Sequence, residues 1–461
     1  MKSPTQQNNK SKGVASRICA LGILEAVLDD GRNLDEVLDE GLAKGALRKL
    51  NGRDRAFARL LAATVLRRLG QIDNCLKKYL SKPLAPSAVR VKHMLRLGVA
   101  ELLFLGHPGH VAVHSIVSLF TKFRELNGFK GLTNAVLRRI SENTDSILET
   151  QDAEKLNCVS WLWKRWVKNY GEDTTRAMMK TMLDRSPIDL TVKADSGKWA
   201  DTLGGVPLDN GSVRINSTGR ITDLEGFTEG EWWVQDVAAT LPVHLLGDVS
   251  GVDVLDLCAA PGGKTMQLAA LGANVTAIDK SPQRIELVEE SARRLGYSPV
   301  IQQFDILDFE PGRTWTHILL DAPCSATGTG RKHPDMMVGK SSDDLKSLSK
   351  LQKQLIEKAV SLLSPGGVLI YCTCSLEPEE GENQIRWLLK ENPSLVREPL
   401  DKEDVFGWAN LISSKGDLRT TPADLSDYGG MDGFFAARIR HSVEIQSSTD
   451  ELNQKNFQEQ P

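Results

Sequence analysis

Beyond residue 250, short apolar runs alternate with amphipathic ones, and this alternation restricts the chain to very few folds. DVLDLC, NVTAID, PVIQQFD, HILLDAP and VLIYCTC read as buried strands. KTMQLAALG, SPQRIELVEESARRLG and DDLKSLSKLQKQLIEKAVSLLSPGG read as helices between strands, PEEGENQIRWLLKEN as a helix after them, and GFFAARIR as a late strand. Alternation at this spacing builds parallel β-α-β units and a doubly wound, Rossmann-like α/β sheet. Such sheets bind ligands at the carboxyl ends of their strands.

The chain before it follows another period. From 14 to 141, apolar residues recur at i, i+3 and i+4 in ASRICALGILEAVLDD, DRAFARLLAATVLRRLGQIDNCLKKYL, SAVRVKHMLRLGVAELLFL and GLTNAVLRRISEN, which predicts an all-α bundle. Charge divides in the same way. Residues 1–150 carry 24 Lys and Arg against 14 Asp and Glu, and the remainder carries 33 against 46. A basic helical third fits contact with a polyanion, or a solvated helix surface. Residues 142–234 are expected to hold a linker helix, SWLWKRWVKNYG, and a small α+β, RRM-like module. Trp161, Trp163 and Trp166 interleave with Lys164 and Arg165, a pattern for stacking on bases or for an amphipathic docking helix. The Rossmann-like domain is placed at 235–441. Residues 1–13 and 442–461 are polar and are expected to be disordered.

Several classes drop out. No apolar run approaches the roughly 20 residues that cross a bilayer, and the first residues lack the apolar core of a secretory signal. Seven scattered cysteines do not make a disulfide framework, and no Cys-x-x-Cys pair or His cluster indicates zinc. A cytoplasmic protein with reduced thiols and no metal is expected.

VLDLCAAPGGKT, residues 254–265, is a strand, a Gly-rich turn and a helix start. Its glycines let the backbone approach a ligand closely. Gly263-Lys264-Thr265 fits the end of a P-loop, but Cys258 stands where a P-loop has its first glycine, and G-x-G-x-x-G is absent. That disfavours an NTPase and a dinucleotide enzyme and leaves an S-adenosylmethionine pocket. Such a pocket needs an acid ending the next strand, for ribose hydroxyls, and Asp279 stands there. It needs a polar acceptor after the third strand, near the adenine, and Asp305 stands there. Each acid alone is as well explained as a cap or turn residue; the three features in register carry the cofactor reading.

Two thiols follow two strands, Cys324 in HILLDAPCSATGTG and Cys374 in YCTCSLEPEEGEN. N-methyltransferases of adenine and glutamine carry Asn/Asp-Pro-Pro-Tyr/Phe at the first position, whereas this chain has Asp321-Ala322-Pro323-Cys324. A thiolate suits a pyrimidine. Added to C6, it pushes electron density onto C5, which can then take a methyl group. The adduct must afterwards lose the C5 proton and expel the thiolate, and a second group beside the base would assist.

LDLCAAPGGK, LLDAPCSATGTGRKHPD and YCTCSLEPEEGENQI resemble the motifs of the RNA cytosine-5 methyltransferases, the Nol/Nop/Sun family. The helical N-terminus, with TNAVLRRI, resembles the NusB-like RNA-binding domain that precedes the catalytic region in the bacterial 16S ribosomal RNA members. The resemblance covers about 14–441. It implies Cys374 as nucleophile and Cys324 as the second cysteine, which releases product. It implies S-adenosyl-L-methionine as cofactor, with contacts at Cys258, Ala259, Ala260, Pro261, Gly262, Gly263, Lys264, Asp279, Asp305 and Asp321. It implies 16S rRNA or a small-subunit assembly intermediate as partner, and a monomer. The same chemistry on tRNA or 23S rRNA, and an inert RNA-binding assembly factor, stay open. Arg331, Lys332, His333, Arg138 and Arg139 are candidate phosphate contacts or ordinary surface charges. Cys372 departs from the two-cysteine pattern and is read as a small buried strand residue; Cys258 is read as packing. Glu377, Glu379 and Glu380 would oppose a thiolate at Cys374, while the N-terminus of the following helix would favour it.

Overall fold

The computed structural model describes residues 4–216 and 219–442. It divides into two compact units. One takes in the chain up to Ser186 together with Ala326–Ser341 and Thr421–Gly430; the other takes in Pro187–Ser325, Ser342–Thr420 and the chain from Met431.

The first unit is helical. Its helices are α1 (Pro4–Leu28), α2 (Leu34–Ala43), α3 (Gly52–Arg67), α4 (Leu69–Tyr79), α5 (Val89–Leu103), α6 (Gly109–Leu119), α7 (Lys130–Ser141), α8 (Thr144–Glu149), α9 (Ala153–Asn157), α10 (Ser160–Tyr170) and α11 (Glu172–Leu183). The disorder expected over 1–13 is corrected from residue 4 onward. Pro4 opens α1, and no further proline interrupts the polar run that leads into its apolar half. Residues 1–3 and 443–461, also expected to be disordered, lie outside the described residues. α5 is buried on every side from His93 to Leu103 and forms the bundle's axis. Its buried Glu101 accepts two bonds from Arg17, at 2.7 and 2.5 Å, so the charge is paired.

The stretch of helical periodicity over 54–80 breaks at Arg68 (φ −110°) into α3 and α4. The break lets α4 meet α9 so closely that a Cβ on Gly70 would lie 1.7 Å from the Leu156 carbonyl oxygen. The unit therefore runs past 141. Gln71 receives the Asn157 amide at 2.9 Å, and α10 buries Leu162, Trp163 and Trp166. With its ring also covered by Arg176, Trp163 packs the fold rather than offering a face for bases.

The second unit holds two sheets. β1 (Ile188–Val192), β2 (Val206–Pro207), β3 (Val213–Ile215) and β4 (Trp232–Val234) pair antiparallel in the order β2-β3-β1-β4, with α12 (Ser196–Leu203) packed on them. Leu190, Trp199, Val213, Ile215 and Trp232 form that module's core. Asp189 and Arg214, both buried, are joined at 2.6 and 2.8 Å, and Asp189 also takes the Val237 N–H that opens α13 (Val237–His244).

The larger sheet comprises β5 (Asp253–Leu257), β6 (Asn274–Asp279), β7 (Val300–Gln303), β8 (Trp315–Asp321), β9 (Leu363–Thr373), β10 (Leu395–Arg397), β11 (Leu418–Arg419) and β12 (Phe435–His441). Its order is β10-β12-β9-β8-β5-β6-β7, with β11 on β12. β5 to β9 pair parallel, as the alternation predicts. β12 runs antiparallel to β9, which makes the sheet mixed. Helices α14 (Gly263–Ala270), α15 (Pro282–Leu295), α16 (Ser342–Ser361) and α17 (Glu382–Glu391) connect or flank the strands. The chain winds outward from β5 to β7 and returns to β8 on β5's other side. The switch point lies between β5 and β8, where an open α/β sheet has its binding crevice. Among the described residues, no helix is long and apolar enough to cross a membrane.

Candidate active site

The ends of five strands, β5 to β9, build the site. After β5 the chain turns through Cys258, which has φ +62°, and Gly262, at +103°, before α14 begins at Gly263. The Ala259 N–H bonds to the Ile278 carbonyl at 3.0 Å, which ties the turn to β6. Asp279, ending β6 and 3% exposed, accepts the N–H groups of Ala260 at 3.2 Å and Ser281 at 3.0 Å. Its carboxylate therefore braces the turn. Asp305 follows β7, is exposed, and caps a short turn by accepting the Leu307 N–H at 3.1 Å. Pro261 is the exposed residue of the turn, whereas Ala259 and Ala260 are buried.

Lys264, on the first turn of α14, reaches Asp321 at the end of β8 at 2.6 Å. Burial works against its charge, but the Asp321 carboxylate together with Cys372 and Cys374 outweighs burial and holds the ammonium above its usual range. Burial pushes the Cys258 thiol up, and the Asp321 and Asp279 charges add to that. This agrees with a packing role.

The register explains the thiols. Asp321 on β8 pairs with Cys372 on β9. Three residues beyond Asp321 lies Cys324, two beyond Cys372 lies Cys374, and their sulfurs stand 3.5 Å apart. Both are half-buried. Cys372 is fully buried, its thiol 3.6 Å from an Asp321 oxygen, and burial raises its pKa. The third thiol is thus a strand residue beneath the site.

The expected phosphate contact at Arg331 is corrected. Its side chain is buried, the guanidinium donating to the Gly429 carbonyl at 2.7 Å, while Arg67 bonds Arg331's own carbonyl at 2.8 Å. His333 pairs with Asp35 at 2.9 Å. Both belong to the helical unit, whose fold they join. Lys332 is half-buried in the same segment, and Arg138 and Arg139 stand exposed in the last turn of α7. Among the described residues, no group of three or more His, Cys, Asp or Glu side chains could hold a metal ion.

Sequence reasoning missed Ser325, Ser375 and Gln352 behind the thiols and took Glu380 only as one of three acids opposing a thiolate; all four are buried. The acidic run read as a helix start is a separate turn, Pro378–Glu380, and α17 begins only at Glu382. The signal available was the serine that directly follows each cysteine.

A sequence model of the 16S rRNA methyltransferase RsmB/F family matches residues 243–440, and one of the NusB family matches 14–142. The ribosomal RNA small subunit methyltransferase B of Cronobacter sakazakii is 33% identical over 424 residues, 87% of this chain and 96% of that one. The chain belongs to the RsmB/F family. The Salmonella arizonae methyltransferase B is 31% identical over 92% of this chain and 98% of its own. Among solved structures, a methyltransferase homologue from Pyrococcus horikoshii is 28% identical, with a TM-score of 0.52 over 63% of this chain and 98% of its own. Membership makes this chain a methyltransferase with S-adenosylmethionine as its cofactor. The crevice fits that group: a tight Gly-rich turn at the switch point with carboxylates at neighbouring strand ends, and no P-loop.

Proposed function

We propose that this RsmB/F protein methylates C5 of a cytosine in 16S rRNA through a covalent adduct between Cys374 and C6. The observation that carries the reading is the 3.5 Å approach of two thiols at adjacent strand ends beside the Lys264–Asp321 pair. Cys374 as thiolate adds to C6, and the enamine so formed attacks from C5. S-adenosylmethionine, when bound, supplies the electrophilic methyl group. Cys324, beside the adduct, assists loss of the C5 proton, and the C6–S bond then breaks, returning the electron pair to Cys374. The Lys264 ammonium stabilises negative charge in this cleft. Residues Cys258 to Lys264, with Asp279, Asp305 and Asp321, would hold the cofactor. The helical unit, with Arg138 and Arg139 exposed, would add salt-sensitive RNA affinity.

The test is a denaturing gel of wild type, Cys324→Ala and Cys374→Ala with cofactor and 16S fragments, with tRNA and 23S fragments in parallel. Cys324→Ala should accumulate a protein–RNA adduct on 16S fragments, and Cys374→Ala should form none. A reversed pattern exchanges the roles. Methylation confined to tRNA or 23S fragments overturns the substrate, and no adduct or methylation on any RNA favours an assembly factor.

A further inference from the structure

A single buried carboxylate ties both thiol-bearing segments together. Glu380 has no exposed surface. One carboxylate oxygen accepts the Ser325 N–H at 2.9 Å and the Gln352 amide at 3.0 Å; the other accepts the Ser325 hydroxyl at 2.5 Å. Its main-chain carbonyl accepts the Tyr371 hydroxyl at 2.8 Å and the Thr373 hydroxyl at 3.3 Å, both on the strand that delivers Cys374. Gln352 also donates to the Pro323 carbonyl at 2.9 Å. Both neighbours of Cys324 are thereby held, and the Ser325 and Ser375 hydroxyls meet at 3.2 Å.

A buried carboxylate is a costly way to fill space, since apolar side chains of like volume do so as well or better. What it offers here is directed acceptance from two segments at once. The thiols sit just past their strands, so strand pairing alone does not set their separation. We propose that Glu380 is a positioning residue: its carboxylate clamps the Cys324 segment onto the end of β9 and so holds the two sulfurs at working distance. Its catalytic consequence rests on the covalent reading above; its geometry does not.

Glu380→Gln keeps the shape but turns an acceptor into a donor facing donors. On the protein alone, iodoacetamide labelling read by mass spectrometry should show Cys324 alkylated about tenfold faster, the effect of losing one charge-assisted bond. Cys374 labelling and cofactor Kd should stay near wild type. With 16S fragments and cofactor, the variant should keep its KM, lose turnover and accumulate adduct as Cys324→Ala does. Ser325→Ala removes only the hydroxyl bonds and should fall between; if Glu380→Gln does not fold, the same labelling ratio in Ser325→Ala decides. An unchanged Cys324 rate, or both thiols speeding up together with a lowered Tm, overturns the clamp and leaves Glu380 a general structural residue. Should neither Cys324→Ala nor Cys374→Ala trap an adduct, the covalent reading falls, and the labelling ratio still judges the clamp.

Discussion

Asp256→Asn should remove a pH dependence from the stability of the catalytic unit. Asp256 lies within β5, fully buried. One oxygen accepts the Thr265 hydroxyl at 2.6 Å, and the other has no hydrogen-bond partner. Burial pushes its pKa up to about 7 from 3.8, with Asp321 and Asp279 assisting and Thr265 and Lys264 opposing. The folded state therefore keeps a proton that the unfolded chain has already lost. The stability this gives is fully present below pH 3.8 and is lost as pH rises through about 7. The slope approaches about 1.4 kcal/mol per pH unit and levels off near pH 7, so wild type should lose about 2 kcal/mol between about pH 5 and 7 that the variant retains. Asn is neutral throughout and can still accept from Thr265. Urea unfolding of both proteins across that range gives the difference directly, and above about pH 7 the two curves should run parallel. Asp417, raised to about 6 by burial, titrates in both proteins and cancels. A difference that does not change with pH would show that Asp256 is ionised in the fold and would refute the reasoning. A neutral Asp256 leaves Lys264 with Asp321 as its charged partner, as the proposed chemistry needs.

Two further outcomes follow from the same geometry. Gly262→Ala forces a side chain into φ +103°, its Cβ 3.2 Å from Val288, and should cost about 1–2 kcal/mol and weaken cofactor binding in calorimetry; an unchanged Kd would show that the turn does not shape the pocket. Asp189→Asn removes the negative charge that buried Arg214 meets at 2.6 Å and should lower stability in urea unfolding; an unchanged midpoint would count against a desolvated pair.

Much of the site could be read from the sequence because strand ends could. VLDLC, HILLD and VLIYCT announce buried parallel strands, and in a doubly wound sheet their carboxyl ends share one edge. Cys324, Cys374, Asp321 and the Gly-rich turn were therefore locatable before any coordinate. The break at Arg68 was not legible because a period of 3.6 continues across it, and the close approach of Leu156 to Gly70 is a tertiary contact. Pro4–Gly13 lie within α1 although their composition is polar, and composition alone does not exclude a helix.

Charges were the least legible, and Arg331 and Glu380 show why. One sits in GTGRKHPD, the other in EPEEGEN, and both runs read as solvated. Both side chains are buried, with partners far along the chain: Arg331 donates to the Gly429 carbonyl, and Glu380 accepts from Ser325 and Gln352. Burial of a charge is tolerated only where tertiary structure supplies donors or acceptors, and a linear pattern does not contain those. The serine after each cysteine was the one local trace of such a network. Each serine directly follows its cysteine, so where the sulfurs stand 3.5 Å apart the two hydroxyls also meet, at 3.2 Å. A serine directly after each of two cysteines that stand together is thus a readable trace of the buried carboxylate behind them.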